Sequence, residues 1–155
     1  MVPLALLPIL ATQEGTFPRV PPTLPSSFRH EVLVGCAPTT LERAEACLRS
    51  SMNEQDFAIL ADRIPARRFR GMIDCEIERD WRLADPTSPM GRVMDALIGF
   101  HNPGFAASMI ISDMQVRSHG GDGLPFDELR ERYRTEPPPI GSSTTTCTVT
   151  TTPSA

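Results

Sequence analysis

The sequence predicts an all-α protein, a small bundle of about five to seven helices. Apolar residues recur at helical spacing in successive segments, and residues that cap or break helices separate these segments. A stretch with alternating side chains contains too many carboxylates to favour a strand: Met72, Asp74, Glu76 and Glu78. A helical bundle is therefore the expected fold class.

Polar caps and breaking residues set the bounds of the first predicted helix. Ser26 or Ser27 is its expected cap, and the helix runs through Val34. Gly35 and Pro38 end it, because glycine and proline both interrupt a helix.

The second and third predicted helices also begin at polar caps. Thr39 or Thr40 caps the second helix, Ser51 or Asn53 starts the third, and Pro65 stops the third. The apolar positions of the third helix are Phe57, Leu60, Ala61 and Ile64.

Four more helices complete the prediction. They cover residues 71–84, the segment that Ser88 caps and Pro89 opens, residues 105–116 and residues 124–133. Trp81 is expected in the core. Residues 109–111 are apolar and could also form a short strand.

Prolines divide the 155-residue chain into three predicted parts. Residues 1–23 form an apolar, proline-rich arm, residues 24–134 a helical domain, and residues 135–155 a flexible tail rich in Pro, Ser and Thr. The arm and the tail lack the apolar periodicity that would offset the entropy of ordering them.

The first eleven residues, Met1 to Ala11, are apolar. They are too few to span a membrane, so no membrane span is expected. Pro3 and Pro8 interrupt them, and the basic region of a secretory signal is missing. Two interpretations stay open, an arm that packs on a protein surface and a signal cleaved after Ala11.

Charge gives little support to nucleic-acid binding. The formal net charge is −4, and all 15 basic residues are arginine. Four of them form a candidate basic patch around Phe69: Arg63, Arg67, Arg68 and Arg70. The patch is either a solvated helix end, whose cations complement the helix dipole, or a surface for a phosphate or a partner.

No motif predicts catalysis, a metal or a cofactor. Cys36, Cys47, Cys75 and Cys147 form no C-x-x-C pair, and the histidines lack the short spacing of a zinc site. The first three cysteines fall on apolar faces, where free thiols pack as small hydrophobes. The alternative is disulfides in a secreted protein. No nucleophile motif indicates an enzyme.

Residues 24–49 carry apolar side chains in a helix–break–helix pattern that resembles an F-box, the module that docks substrate receptors onto a cullin-type ubiquitin ligase. The resemblance implies an Skp-type adaptor as partner. It assigns the docking face to six residues: Leu24, Pro25, Phe28, Val32, Leu33 and Leu41. Ser27, Leu48 and Ser51 depart from the family pattern.

Residues 89–100 are similar to a core helix of the coat proteins of rod-shaped plant viruses, and Arg68-Phe69 resembles a motif that precedes it. This resemblance implies assembly with copies of the same chain. Residues 100–116 have no arginine where that family contacts RNA, which leaves RNA binding in doubt even for a coat protein.

The sequence thus predicts a non-enzymatic protein–protein interaction protein without a cofactor. The leading hypothesis is an F-box-like adaptor in the cytoplasm or nucleus. The alternatives are a structural subunit of a repetitive assembly such as a virion coat, and a small secreted protein.

Overall fold

The computed structural model describes residues 23–136, Pro138 and Cys147. Seven α-helices and no strand occur in this part of the chain, which confirms the all-α prediction. They are α1 (His30–Val34), α2 (Leu41–Ser50), α3 (Glu54–Ala61), α4 (Arg70–Asp80), α5 (Pro89–Ile98), α6 (Pro103–Ser118) and α7 (Phe126–Thr135). Nearly all of the predicted arm and most of the predicted tail fall on residues that are not described.

Helix α6 lies at the centre of the bundle. It packs against α2, α3, α4 and α5, while α7 packs on the outer side of α5. Ile110, Ile111 and Met114 of α6 are fully buried, and Trp81 is in the core as predicted. Residues 109–111, which could also have formed a strand, are helical.

The predicted caps of three helices are confirmed. The side chain of Thr40 accepts a hydrogen bond from the Arg43 amide, and that of Asn53 accepts one from Asp56. Ser88 caps α5, and Pro89 occupies the first turn. These contacts satisfy amides that have no partner within the helix.

Helix α1 is shorter than predicted, because Ser27 does not cap it. The Ser27 hydroxyl donates to Asp56 Oδ2 at 2.5 Å and accepts from the Asn53 amide at 2.8 Å. The segment before α1 is thereby tied to the start of α3, and the helix begins only at His30.

Helix α3 ends at Ala61, three residues earlier than its apolar pattern suggested. Gln115 Nε2 of α6 donates to the Leu60 carbonyl at 2.9 Å, and His119 Nε2 lies 3.2 Å from the Ala61 carbonyl. Side chains of α6 thus supply partners that a further helical turn would have supplied. Ile64, expected on the apolar face, is 77% exposed.

The four cysteines are paired, so the expectation of free thiols is wrong. Cys36 bonds Cys47, which joins the turn after α1 to α2, and their Cα atoms are 6.0 Å apart. Cys75 of α4 bonds Cys147 with a Cα separation of 5.3 Å. Packing of α1 on α2 brings the first pair together, which the sequence spacing could not show.

The sequence predicts no membrane span, and the length and hydropathy of the helices can be compared with that prediction. In the part of the chain that the structure describes, no helix has the length and apolar character needed to span a bilayer.

Candidate functional site

A cleft lies between α6 and α7, where α7 packs mainly on α5. Its volume is about 570 Å³. Tyr133 holds α7 in this position, since its ring meets Phe105 edge-on at 5.4 Å and Phe100 at 6.1 Å between centroids. A cleft of this size falls in the range that small-molecule sites occupy.

The walls of the cleft are mainly apolar. Met109 and Val116 lie on one face of α6, and Leu129 and Tyr133 lie on one face of α7. Leu124, from the loop between the two helices, also lines the cleft. Helical spacing explains the arrangement, because residues four or seven positions apart lie on the same face. These walls can hold an apolar chain or ring.

Polar and basic side chains also line the cleft. They are Arg63, Ser112, Gln115 and His119. His119 Nε2 lies 3.0 Å from Asp62 Oδ1, so an acidic neighbour already balances this histidine. Arg63 has no ion pair with any residue that the structure describes, and its side chain is exposed.

The loop between α6 and α7 is fixed by a buried carboxylate. Asp113, which is 1% exposed, accepts from the Leu124 amide at 2.7 Å and from Arg117 Nε at 2.8 Å. Hydrogen bonding to Asp113 raises the pKa of Arg117. A side chain on Gly123 would collide with Asp113, and its φ of +98° suits glycine. Leu124 is therefore held in place as part of the cleft wall.

The predicted basic patch is divided in the structure. Arg70 turns inward, where its guanidinium donates to the Ser108 carbonyl at 2.9 Å and to Ser112 Oγ at 2.7 Å. Arg63, Arg67 and Arg68 stay exposed around the 3-10 turn Pro65–Arg68. Of these three exposed arginines, Arg63 alone lines the cleft.

The predicted docking face packs largely into the core of this chain. Leu33 is fully buried and Pro25 is buried, while Leu24, Phe28 and Leu41 pack against the core. Val32 is half-buried. Leu24, Phe28, Val32 and Leu41 stay partly exposed, so the assignment of these residues to a docking face remains a prediction.

Helix α4 contains a buried carboxyl group at Asp74. Its Oδ1 has no hydrogen-bond partner among the described residues. The pKa of Asp74 is raised from 3.8 to about 7, mainly by burial; Arg70 opposes the shift and Glu78 adds to it. Arg70 does not form an ion pair with Asp74 in the described part of the chain, because it is directed to the serines of α6.

Asp74→Asn is expected to stabilise the protein in alkaline solution. Because the folded-state pKa is raised, protonation of Asp74 stabilises the folded chain. This stabilising contribution is fully present below the ordinary pKa of 3.8 and is lost as pH rises through about 7. Asparagine keeps the neutral state. We expect the free energy of unfolding of Asp74→Asn to exceed that of wild type by about 2 kcal/mol at about pH 8. This is roughly half the free energy that corresponds to the full pKa shift, because water screens such sites.

Urea denaturation of both proteins across the pH range measures this effect. The gain must shrink to a few tenths of a kcal/mol near about pH 4, where wild-type Asp74 is neutral as well. A difference that does not change with pH would contradict the assignment.

Comparisons with known proteins do not assign this chain to a family. No protein-family model, curated protein or solved structure matches this chain, so neither the F-box nor the coat-protein resemblance gains support.

The sequence did not reveal the cleft, apart from Arg63 as a member of the basic patch. The cleft combines Arg63 from the segment after α3, one face of α6, a loop and one face of α7. Residues His119 to Gly123 contain three glycines, which is typical of a flexible loop, and only the structure shows that Asp113 fixes the end of this loop.

Proposed function

We propose that this chain is a small, secreted, non-enzymatic binding protein whose cleft takes an amphipathic molecule with a carboxylate or similar anionic end. The observation that carries the proposal is the cleft of about 570 Å³, which has mainly apolar walls and includes Arg63 in its lining. A free guanidinium beside apolar walls suits such a ligand.

The apolar walls supply affinity, and Arg63 supplies orientation. Covering Met109, Val116 and Leu129 removes apolar surface from water, which favours binding by about 25 cal/mol per Å². Arg63 can form a charge-assisted hydrogen bond with a carboxylate, and no described acid competes for it. His119 is a weaker candidate, because Asp62 already contacts it.

The two disulfides support secretion. Disulfides persist in oxidising compartments and are rare in the cytosol, so the pairs Cys36–Cys47 and Cys75–Cys147 favour an extracellular or similar location. The apolar stretch Met1–Ala11 is compatible with an exported precursor, although it lies outside the described residues. The secreted alternative is thus the one that the geometry favours.

The adaptor and coat hypotheses stay predictions. An F-box-like adaptor would need its docking residues on a surface, whereas Leu33 is at 0% exposure and Phe28 packs against the core. A coat subunit would need contacts with copies of itself, and no observation of the described residues favours such contacts over the cleft.

Arg63→Ala is expected to weaken the binding of decanoate, a ten-carbon carboxylate used as the probe. A charge-assisted hydrogen bond at a partly exposed site contributes about 1 kcal/mol, so the dissociation constant should rise about fivefold. Isothermal titration calorimetry on the purified, oxidised protein measures the change.

Two controls separate the role of Arg63 from general charge. Arg67→Ala removes a neighbouring exposed arginine that does not line the cleft, and it should leave the affinity unchanged. Decanol has the same chain without the charge, so Arg63→Ala should not affect its binding. Equal losses in the two variants would mean that the anion is held by overall charge and not in the cleft.

A further inference from the structure

Three ionisable side chains from two helices converge at one end of α4. His30 Nδ1 of α1 lies 2.8 Å from Glu76 Oε2 and 3.2 Å from Asp80 Oδ2 of α4. One ligand atom from each of the three residues lies within 4.8 Å of the others. Atoms that bind one Zn²⁺ ion at about 2.1 Å in a tetrahedron are about 3.4 Å apart, so small side-chain shifts would complete the geometry.

Asp80 is an incompletely satisfied ligand in this cluster. Its side chain is 4% exposed, and its Oδ2 accepts no well-aligned hydrogen bond from any described residue. The 3.2 Å separation from His30 Nδ1 shows that this oxygen points into the cluster, although the angle is poor for a hydrogen bond. A buried carboxylate oxygen without a donor is costly, and a cation would satisfy it.

The surroundings leave room for further ligands. The side chain of His30 is 50% exposed, so water can reach the ion from that side. Asp80 also lines a cavity of about 240 Å³ beside Trp81 and Met90. Three protein ligands with an open side are typical of a zinc site that keeps water in its remaining position.

Arg79 contacts both carboxylates of the cluster. Its Nη2 contacts Glu76 Oε2, and its Nε lies 3.1 Å from Asp80 Oδ1. The side chain is 49% exposed, so it can leave for water at little cost. Arg79 is therefore a competitor that partly neutralises the carboxylates, and binding of a divalent ion would displace it.

We propose that His30, Glu76 and Asp80 form a binding site for a divalent transition-metal ion, Zn²⁺ being the best fit. One imidazole and two carboxylates are ligands that Zn²⁺ accepts, whereas Ca²⁺ and Mg²⁺ prefer oxygen alone. The cysteines are in disulfides, so no thiolate of the described residues competes for the ion. This site is separate from the α6–α7 cleft and does not depend on a ligand there.

The test is calorimetric titration of the full, oxidised chain with ZnCl₂. We expect one ion per chain and a loss of at least about tenfold in affinity for His30→Ala. Arg79→Gln should bind about two- to fivefold more tightly, because it removes the competing cation. His101→Ala is the matched control, since His101 pairs with Asp95 at 3.0 Å but has no second acidic neighbour in the described clusters.

Two results would overturn the assignment. One is the absence of stoichiometric Zn²⁺ uptake by the wild-type chain. The other is equal affinity in wild type and His30→Ala, which would place the ion elsewhere. Because His30 is half exposed, the variant should keep its helical circular dichroism spectrum. Should it fail to fold, Arg79→Gln still tests the site, and binding that is weaker than wild type would contradict the proposal.

Discussion

Leu33→Ala should lower the free energy of unfolding by about 3 to 4 kcal/mol. Leu33 is at 0% exposure, and removing its side chain leaves a cavity in addition to the lost burial. The Leu33 carbonyl also accepts a hydrogen bond from Trp81 Nε1 at 3.3 Å, so α1 is joined to the end of α4 at this position. Chemical denaturation monitored by Trp81 fluorescence measures the loss.

The neighbouring residue provides the control. Val34 is on the same helix and 51% exposed, so Val34→Ala should change stability by less than about 0.5 kcal/mol. A docking face would behave differently, because truncation of an exposed anchor weakens partner binding and leaves the fold intact. Unchanged stability of Leu33→Ala would contradict the core assignment and favour the adaptor hypothesis.

Removing the disulfide that links the turn after α1 to helix α2 should lower the free energy of unfolding by about 3 kcal/mol. The bond joins Cys36 to Cys47, 11 positions apart, and restricts the unfolded chain. Alanine is the suitable replacement at both positions, because Cys47 is 2% exposed and serine would bury a hydroxyl group. The double variant should retain its helices and melt at a lower temperature.

Thiol titration of the denatured, unreduced wild-type protein accompanies this experiment. No free thiols are expected, because the four cysteines are bonded as Cys36–Cys47 and Cys75–Cys147. The double variant should likewise show none, since Cys75–Cys147 remains. Four reactive thiols in wild type, or a double variant of unchanged stability, would contradict the disulfide and with it the support for secretion.

Local signals in the sequence predict the helices well. Thr40, Asn53 and Ser88 cap helices where their side chains can accept from free amides, and Pro89 opens α5. These effects act over three or four residues, so the sequence contains them directly. The fold class follows, because helices with one apolar face must pack against each other.

Long-range contacts explain where the sequence fails. The serine at position 27 binds Asp56 instead of capping α1, and α3 stops where Gln115 and His119 contact its last carbonyls. An apolar helical face also looks the same in sequence whether it covers the chain's own core or a partner. The pattern predicts a docking face at Phe28 and Leu33 for that reason, and in the structure Leu33 lies in the core while Phe28 packs against it.

The two candidate sites also depend on contacts between residues that are far apart in the sequence. Arg63 and Tyr133 line one cleft although they are far apart in the chain. His30 meets Glu76 across 46 positions, which a search for closely spaced histidines and cysteines cannot detect. Glu76 and Asp80 are four positions apart on a predicted helix, a spacing that is equally typical of a solvated helix face.

Methyl NMR of the methionines tests the binding proposal most directly. The chain has seven methionines, of which Met109 lines the cleft, whereas Met52, Met90, Met94 and Met114 are buried in the core. Titration of methyl-labelled protein with decanoate should shift the Met109 resonance and leave the four core methyls nearly unchanged. A Met109 resonance that stays in place, or similar shifts of all methyls, would contradict a ligand site between α6 and α7.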